Sequence, residues 1–186
     1  MNKYYKTLQN ILDNGQTQSN KKGNIIYLLN EALSMDRADL TQIFSEHKIA
    51  KKKLSAELEL YFKGITDVKE YNKIGINWWD YCAPELINSY PTYFAKLPAL
   101  IDKINKEKRS SKNYVLFIGE TGVPTNQLPC LSLIQFQISD SKLYMTVFQR
   151  SADSSLGLPS DIYQMYLISK LIDVELANIK IGRAHV

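Results

Sequence analysis

Cys130 follows a proline at the start of one apolar segment, and Arg150 and Ser151 follow the end of the next. A cysteine is a nucleophile in its thiolate form, which a neighbouring cation stabilises. The two segments meet at an Asp-Ser pair, residues 140–141, which predicts a β-hairpin. If the turn centres there, Cys130 lies opposite residue 151, so Arg150 and Ser151 are expected beside the thiol. On this pattern alone, such a cysteine is more often a packing residue than a nucleophile.

The numbers of cysteines and histidines limit the kinds of catalytic and metal sites that the chain can form. The chain has two cysteines, Cys82 and Cys130, and two histidines, His47 and His185. These numbers exclude a disulfide scaffold and a Cys-rich zinc site, and they leave little material for a Ser/His/Asp triad or a His-based metal centre. An enzyme built from this chain must therefore use Cys, Asp, Glu, Tyr, Arg and Lys, and no metal is expected.

Length and charge indicate one soluble globular domain. The chain has 186 residues, of which 45% are hydrophobic and 23% charged. No apolar run approaches the ~20 residues that span a bilayer, and the N-terminus lacks the apolar core of a secretory signal. The formal charge of +4 is mild. We therefore expect a cytoplasmic protein that binds neither membrane nor nucleic acid.

The candidate residues lie on expected helices and strands. These helices and strands do not alternate regularly along the chain, which predicts an α+β fold. The hairpin strands have apolar residues on both faces, so the sheet is expected to be covered on each side. Asp161 lies in the expected first turn of a very apolar helix. The remaining expected elements are helices at 1–14, 51–64, 95–108 and 159–178, a short buried strand at 114–119, and loops at 14–24 and 69–82.

Residues 128–130 read LPC and residues 149–162 read QRSADSSLGLPSDI, with a Gln-Phe at 135–136 between them. This pattern resembles the active-site core of the thymidylate synthase and deoxycytidylate hydroxymethylase family. The segments 3–15 and 56–82 are similar to the family's first helix and to its folate-side segment. The resemblance covers residues 3–180. It implies a thymidylate synthase-like mixed sheet packed with helices, normally in a homodimer packed sheet to sheet.

The resemblance also implies a reaction. The Cys130 thiolate would add to C6 of a pyrimidine nucleoside monophosphate, which makes C5 a carbon nucleophile. C5 would then capture the methylene group of 5,10-methylenetetrahydrofolate, the co-substrate. Arg150 would activate Cys130 and hold the phosphate.

By the same match, Gln149 and Ser151 are expected to bind the substrate. The family usually has an arginine pair just before the strand at 114–119, supplied by the partner subunit, where this chain has Lys112. Lys21 stands where a further phosphate arginine is expected, although a surface lysine is nearly as good an interpretation. Lysine is a point charge and not a bidentate fork, so the phosphate is expected to be held less tightly.

Four further positions match the family, on its proton-relay side, on its folate side and near the base. Glu57 resembles the buried glutamate that relays protons around the pyrimidine. Trp79 and Asp80 match the cofactor-side Trp-Asp, and aromatic walls suit a flat pterin ring. Asp153 matches an aspartate near the base. Without the resemblance, Glu57 reads as a helix-surface residue and Trp79 as a core residue.

Asp161 bears on the choice of base. Thymidylate synthases usually have asparagine here, which satisfies the acceptor and donor of uracil. Cytosine presents an amine donor and a ring acceptor, and a carboxylate accepts from the amine. Asp161 therefore favours a cytosine nucleotide, as in the hydroxymethylase branch. The plain alternative is an acidic residue in the first turn of a helix, stabilised by the macrodipole.

Several positions depart from the family pattern. Leu131 replaces a common histidine, Ala152 a common cysteine and Cys82 a common tryptophan, which indicates a divergent member. Residues 181–186 match one reading frame of a sequencing adapter. The expected domain is therefore 1–180, incomplete at its C-terminus, followed by a non-native tail at 181–186.

The sequence thus predicts an enzyme, a C5 (hydroxy)methyltransferase of nucleotide metabolism. The leading prediction is hydroxymethylation of dCMP or CMP. Two alternatives stay open: a thymidylate synthase that methylates dUMP, and a catalytically degenerate relative that binds nucleotide or RNA.

Overall fold

The computed structural model describes residues 2–20, 23–125 and 128–183. None of the helices in these ranges is long and apolar enough to cross a membrane. The α-helices are α1 (Lys3–Asn14), α2 (Arg37–Glu46), α3 (Lys51–Phe62), α4 (Val68–Lys73), α5 (Tyr90–Phe94), α6 (Leu97–Glu107) and α7 (Gly157–Ser169), with a 3₁₀ helix at Asp80–Cys82. The strands are β1 (Gln16–Asn20), β2 (Gly23–Tyr27), β3 (Ala32–Met35), β4 (Val115–Phe117), β5 (Leu131–Ser139), β6 (Lys142–Gln149) and β7 (Glu175–Arg183).

The centre of the fold is a five-stranded mixed sheet in the order β3-β7-β6-β5-β4. Only β6 and β7 pair in parallel, and α7 connects them. The other pairs are antiparallel. Helices and a mixed sheet without βα alternation make an α+β fold, as the sequence predicts.

The β5–β6 hairpin turns at Asp140 and Ser141, both with positive φ, as the sequence predicts. The register shifts by one residue between Leu131 and Leu133, which is a β-bulge. As a result, the Arg150 N–H donates to the carbonyl of Cys130 at 2.8 Å. Cys130 therefore lies opposite Arg150, one residue from the position near 151 that counting from the turn predicts, because such a count does not include a bulge.

One face of the sheet is buried and the other is open. The inward residues of β6 alternate with exposed ones, and Leu143, Met145 and Val147 pack in the core with α7. On the opposite face a row of small and apolar residues crosses all five strands: Phe117, Leu133, Phe148, Gly182 and Ala32. Phe117 is 68% exposed and Phe148 42%. The prediction of a sheet covered on both sides is wrong for a single chain.

The C-terminal helix is shorter than predicted and begins earlier. It runs from Gly157 to Ser169, so Asp161 is its fifth residue and its first turn contains no acidic residue. Residues 175–183 form β7 and not the end of a helix. Ile181 is fully buried between β3 and β6, so the sheet includes the start of the segment 181–186. The interpretation of 181–186 as a non-native tail stays a prediction.

The N-terminal region also differs from its prediction. The segment expected as a polar loop at 14–24 contributes to a two-stranded hairpin of β1 and β2. Helix α1 packs on this hairpin and on β3, and α3 packs against α5 and α7. These contacts place α3, α7 and the edge of the hairpin β5–β6 around one space, which contains the candidate residues.

Candidate active site

A cavity of about 600 Å³ opens between α3, α7, the 3₁₀ segment and the ends of β5 and β6. Its size is in the range of small-molecule sites, roughly 300–1,000 Å³. Its lining contains most of the residues that the sequence singled out: Glu57, Trp79, Cys130, Gln149, Ser151, Asp153 and Asp161. These residues come from five separate stretches of chain, which the fold brings to one place.

Cys130 is half-buried at the entrance to β5. Its Sγ lies 3.4 Å from the Ser151 Oγ. The adjacent Leu131 N–H donates to the hydroxyl of Tyr90 at 3.4 Å, which brings a buried tyrosine to the same point. The thiol therefore lies at the cavity beside the Ser151 hydroxyl, on a strand end that is fixed by backbone pairing and by the Tyr90 hydroxyl.

Arg150 is exposed, and its guanidinium holds the backbone in front of the cysteine. Its Nε donates to the carbonyl of Pro129 at 3.0 Å and its Nη2 to that of Leu128 at 2.7 Å. The side chain that contacts the thiol in the described part of the chain is Ser151, and not the guanidinium as expected. Two of the five N–H groups of Arg150 are used in this way, so three remain for an anion.

Glu57 is 3% exposed and carries three hydrogen bonds from neutral donors. Its Oε1 accepts from the indole N–H of Trp78 at 2.7 Å and from that of Trp79 at 2.6 Å. Its Oε2 accepts from the Gln164 amide at 2.8 Å. A buried carboxylate is tolerated only with such partners. Glu57 is thus a buried carboxyl group with a fixed orientation at the cavity wall and not a helix-surface residue.

Asp161 projects from the second turn of α7, where it meets the last residue of β6. Its Oδ2 accepts from the Gln149 amide Nε2 at 2.6 Å. Gln149 is 1% exposed, and its Oε1 is buried with no hydrogen-bond partner among the described residues. The pair bridges helix and sheet at the cavity wall.

Asp153 holds the turn that precedes α7. Its Oδ1 accepts from the Ser155 N–H and hydroxyl, both at 2.9 Å, and from the Leu156 N–H at 3.1 Å. Burial raises the pKa of Asp153, but the hydrogen bonds from Leu156 and Ser155 outweigh it and leave the pKa below its usual value. The geometry gives this carboxylate a capping contact in addition to its place at the cavity.

The remaining predicted residues are more dispersed. Trp79 is half-buried in the cavity, where its ring meets that of Tyr90 edge-on at 5.8 Å. Asp80 is exposed at the start of the 3₁₀ helix and does not line the cavity. Lys112 is exposed outside the cavity of its own chain, before β4. Lys21 lies outside the described residues.

Trp78, Tyr90 and Gln164 also line the cavity and were not among the residues predicted from the sequence. Gln164 could have been predicted, because it is a polar residue on an apolar helix. It follows Asp161 by three positions and therefore lies on the same face. Trp78 adjoins the matched Trp79 and reads as a second core tryptophan. Tyr90 carries no local signal, since its contact with Leu131 joins distant parts of the chain.

The buried hydroxyl and thiol groups around Cys130 stay protonated. Burial raises the pKa of Tyr90 well above its usual value, and electrostatic interactions with Asp161 and Cys130 raise it further. Burial also raises the pKa of the Cys82 thiol, which lines the same cavity. Cys82 is therefore a poor nucleophile, whereas Cys130 is the more accessible of the two thiols.

Comparison with known protein families gives a match to the family described as thymidylate synthase, and this match spans residues 2–185. The chain belongs to the thymidylate synthase family. This confirms the resemblance predicted from the sequence, and the α+β sheet packed with helices is the fold of that family. The family carries out one-carbon transfer from methylenetetrahydrofolate to C5 of a pyrimidine nucleotide. A half-buried cysteine, a buried glutamate and an apolar, aromatic cavity are consistent with that reaction in this member.

Proposed function

We propose that the protein transfers a one-carbon unit to C5 of a cytosine nucleotide, and that it hydroxymethylates dCMP or CMP. The observation that carries the choice of base is the contact between Gln149 and Asp161. Because an amide N–H donates to Oδ2 of Asp161, the side chain meets the cavity as a hydrogen-bond acceptor. The exocyclic amine of cytosine is a donor and suits it, whereas the O4 of uracil is an acceptor and does not.

The position of Asp161 in its helix supports this assignment. An acidic residue in the first turn would be explained by the helix macrodipole alone. Helix α7 begins at Gly157, so Asp161 lies in the second turn, where that stabilisation has largely fallen off. The carboxylate therefore needs another explanation, and recognition of a base edge supplies one.

The chemistry would start at Cys130. Its thiolate forms a bond to C6 of the pyrimidine, and the electron pair of the C5–C6 double bond becomes available at C5. C5 then forms a bond to the methylene carbon of the folate co-substrate as one of that carbon's two bonds to nitrogen breaks and this nitrogen takes up a proton. The proton on C5 is then lost to a base. Water adds to the methylene carbon when the folate nitrogen leaves, and expulsion of the thiolate restores the double bond. In a methylation, hydride would take the place of water.

The other cavity residues have roles that follow from their positions. Glu57, held by Trp78 and Trp79 on one oxygen, is the group that we expect to relay protons near the base. Ser151 lies at the thiol and can also donate to the phosphate. Trp79 and the flanking Asp80 would form the folate side of the cavity. Asp153 and Gln149 would keep Asp161 and the turn before it in place.

The phosphate would be bound at the rim by Arg150, which keeps three N–H groups for a dianion. The second cation would come from a partner chain. The open sheet face with Phe117 and Phe148 is an apolar surface of the kind that another copy covers, so we propose a homodimer packed sheet to sheet. Lys112, exposed before the edge strand β4, would then reach the partner's phosphate, with Lys21 a second candidate.

Release of tritium from C5 tests the proposed function. The protein is incubated with methylenetetrahydrofolate and either [5-³H]dCMP or [5-³H]dUMP, and tritiated water is counted. Release from dCMP, abolished in Cys130→Ser, is the expected result. Release from dUMP alone would refute the cytosine assignment and leave a thymidylate synthase. Binding of either nucleotide without release by the wild-type protein would indicate a degenerate member.

A further inference from the structure

Gln149 has an unusual hydrogen-bonding state for a side chain that is 1% exposed. Its amide nitrogen donates to Asp161 at the short distance of 2.6 Å. Its amide oxygen is buried and has no partner in the described part of the chain. Buried polar atoms are nearly always paired, so an unpaired acceptor next to the candidate base-reading residue calls for an explanation.

The two ends of an amide differ in what they can meet. With its nitrogen towards Asp161, Gln149 makes a charge-assisted hydrogen bond, which is the stronger kind. If the amide turned over, its oxygen would face the carboxylate oxygen, and two acceptors would repel each other. The orientation of Gln149 is therefore fixed by the charge of Asp161, even though the amide oxygen stays unpaired as a result.

The same bond constrains Asp161 in return. Gln149 is the last residue of β6 and points inward with Leu143, Met145 and Val147, so its backbone is set by strand pairing. Asp161 stands on α7, across the gap between helix and sheet. A donor held on the sheet fixes the direction from which one oxygen of this carboxylate accepts a hydrogen bond.

We propose that Gln149 is the positioning residue that sets base choice, because it holds Asp161 as an acceptor towards the pyrimidine edge. The inference rests on the proposed function and deepens it. Gln149 discriminates without reading the base itself. Loss of its donor removes this restraint on Asp161 and allows its carboxyl group to take up a proton, and a carboxyl group that can also donate accepts uracil as well as cytosine.

A double-mutant cycle on nucleotide affinity tests this. Dissociation constants for dCMP and dUMP are measured by calorimetry for the wild-type protein, Gln149→Met, Asp161→Asn and the double variant. Methionine keeps the length of glutamine and removes the donor. We expect Gln149→Met to lower the preference for dCMP over dUMP about ten-fold, the size of one charge-assisted hydrogen bond. In the Asp161→Asn background, the same change should alter the preference less than about two-fold.

A matched control is available at the surface. The Gln9 amide donates to Asp13 at 2.8 Å, which is the same pair of chemical groups on an exposed helix face. Gln9→Leu should leave both dissociation constants unchanged. A second variant, Gln149→Glu, places an acid against Asp161, where a shared proton can restore the donor. Its preference for dCMP should therefore recover as the pH is lowered, which a purely structural role for Gln149 does not predict.

Equal loss of affinity for both nucleotides in Gln149→Met, or the same effect with and without Asp161, would overturn the inference. Failure of the proposed function looks different. If the wild-type protein prefers dUMP, the cytosine assignment fails, while dependence of the Gln149 effect on Asp161 would still show that Gln149 acts through that residue. If Gln149→Met does not fold, Gln149→Glu and its pH dependence decide the question alone.

Discussion

Replacement of Trp78 by phenylalanine should destabilise the protein through a single lost hydrogen bond. The Trp78 indole donates to the buried Glu57 carboxylate at 2.7 Å, and phenylalanine keeps most of the ring while removing the N–H. Hydrogen bonds to charged groups contribute about 1.5–3 kcal/mol to stability. Because Trp78 is 39% exposed, water can replace part of the lost donation. We therefore expect the lower end, about 1.5 kcal/mol.

Gln164 provides the contrasting case. It donates to the other oxygen of Glu57 at 2.8 Å and is only 7% exposed, so water cannot take its place. Gln164→Leu should therefore cost about 3 kcal/mol, the upper end of the same range. In a protein of this size about 1 kcal/mol shifts Tm by roughly 2–4 °C, so the two variants should melt about 3–6 °C and 6–12 °C below the wild type.

The assay is thermal unfolding at pH 7, at one protein concentration because an oligomer would make Tm depend on it. Gln42→Leu is the matched control, since Gln42 donates to Glu46 at 2.8 Å on an exposed helix face and its loss should leave Tm unchanged. The Trp78→Phe effect should roughly halve in a Glu57→Gln background, where the acceptor is neutral. A Trp78→Phe variant as stable as the wild type, or one more destabilised than Gln164→Leu, would refute the reasoning about Glu57.

Three further outcomes are expected. Asp153→Ala should lower the free energy of unfolding by about 1 kcal/mol because the turn before α7 loses its cap. The pKa of Asp153 in the folded protein lies below the unfolded value of about 3.9. In urea unfolding at a series of pH values, the difference from wild type should therefore be full above that pH and vanish as the pH falls through the folded pKa. Ile181→Ala should lower the free energy of unfolding by about 2–5 kcal/mol because the side chain is fully buried. The control Ile25→Ala, at an exposed position, should lower it by less than ~0.5 kcal/mol. Equal effects of the two variants in denaturation would contradict the burial of β7. Phe148→Lys and Phe117→Lys should each convert the proposed homodimer to a monomer, as measured by sedimentation velocity. If both variants sediment like the wild type, the open sheet face is not the interface.

The parts of the fold that could be predicted are those that depend on residues close together in the sequence. The Asp140–Ser141 turn and helix α3 follow from turn residues and from apolar periodicity within a few positions. The grouping of Cys130, Glu57 and Asp161 came from the family resemblance, since no local pattern joins residues so far apart. The family match over residues 2–185 accounts for that success.

The parts that were missed depend on distant contacts. The end of α7 could not be predicted because the apolar pattern of the sequence continues beyond it. In the structure Asn105 fixes the turn after it, donating to the Leu171 carbonyl at 2.9 Å and accepting from the Asp173 N–H at 2.8 Å. The strand β7 then depends on parallel pairing with β6, which a sequence pattern of single residues does not record.

The geometry at the nucleophile was also beyond the sequence. The bulge between Leu131 and Leu133 moves Cys130 opposite Arg150, and the guanidinium then binds the carbonyls of Leu128 and Pro129. The structure places Ser151 at the thiol, whereas the Arg150 guanidinium, expected there too, binds backbone carbonyls. Side-chain direction at a strand end depends on the register, and the register depends on the bulge.

The most direct test of the account is whether Cys130 forms a bond to a cytosine ring. A 5-fluoro substituent cannot leave C5 as a cation, so the reaction should stall with the nucleotide and the folate both attached to the protein. The protein is incubated with 5-fluoro-dCMP and methylenetetrahydrofolate, and its intact mass is measured. The account predicts a mass increase equal to both compounds, absent in Cys130→Ser and weaker with 5-fluoro-dUMP. An unchanged mass with either nucleotide, or the same adduct in Cys130→Ser, would contradict it.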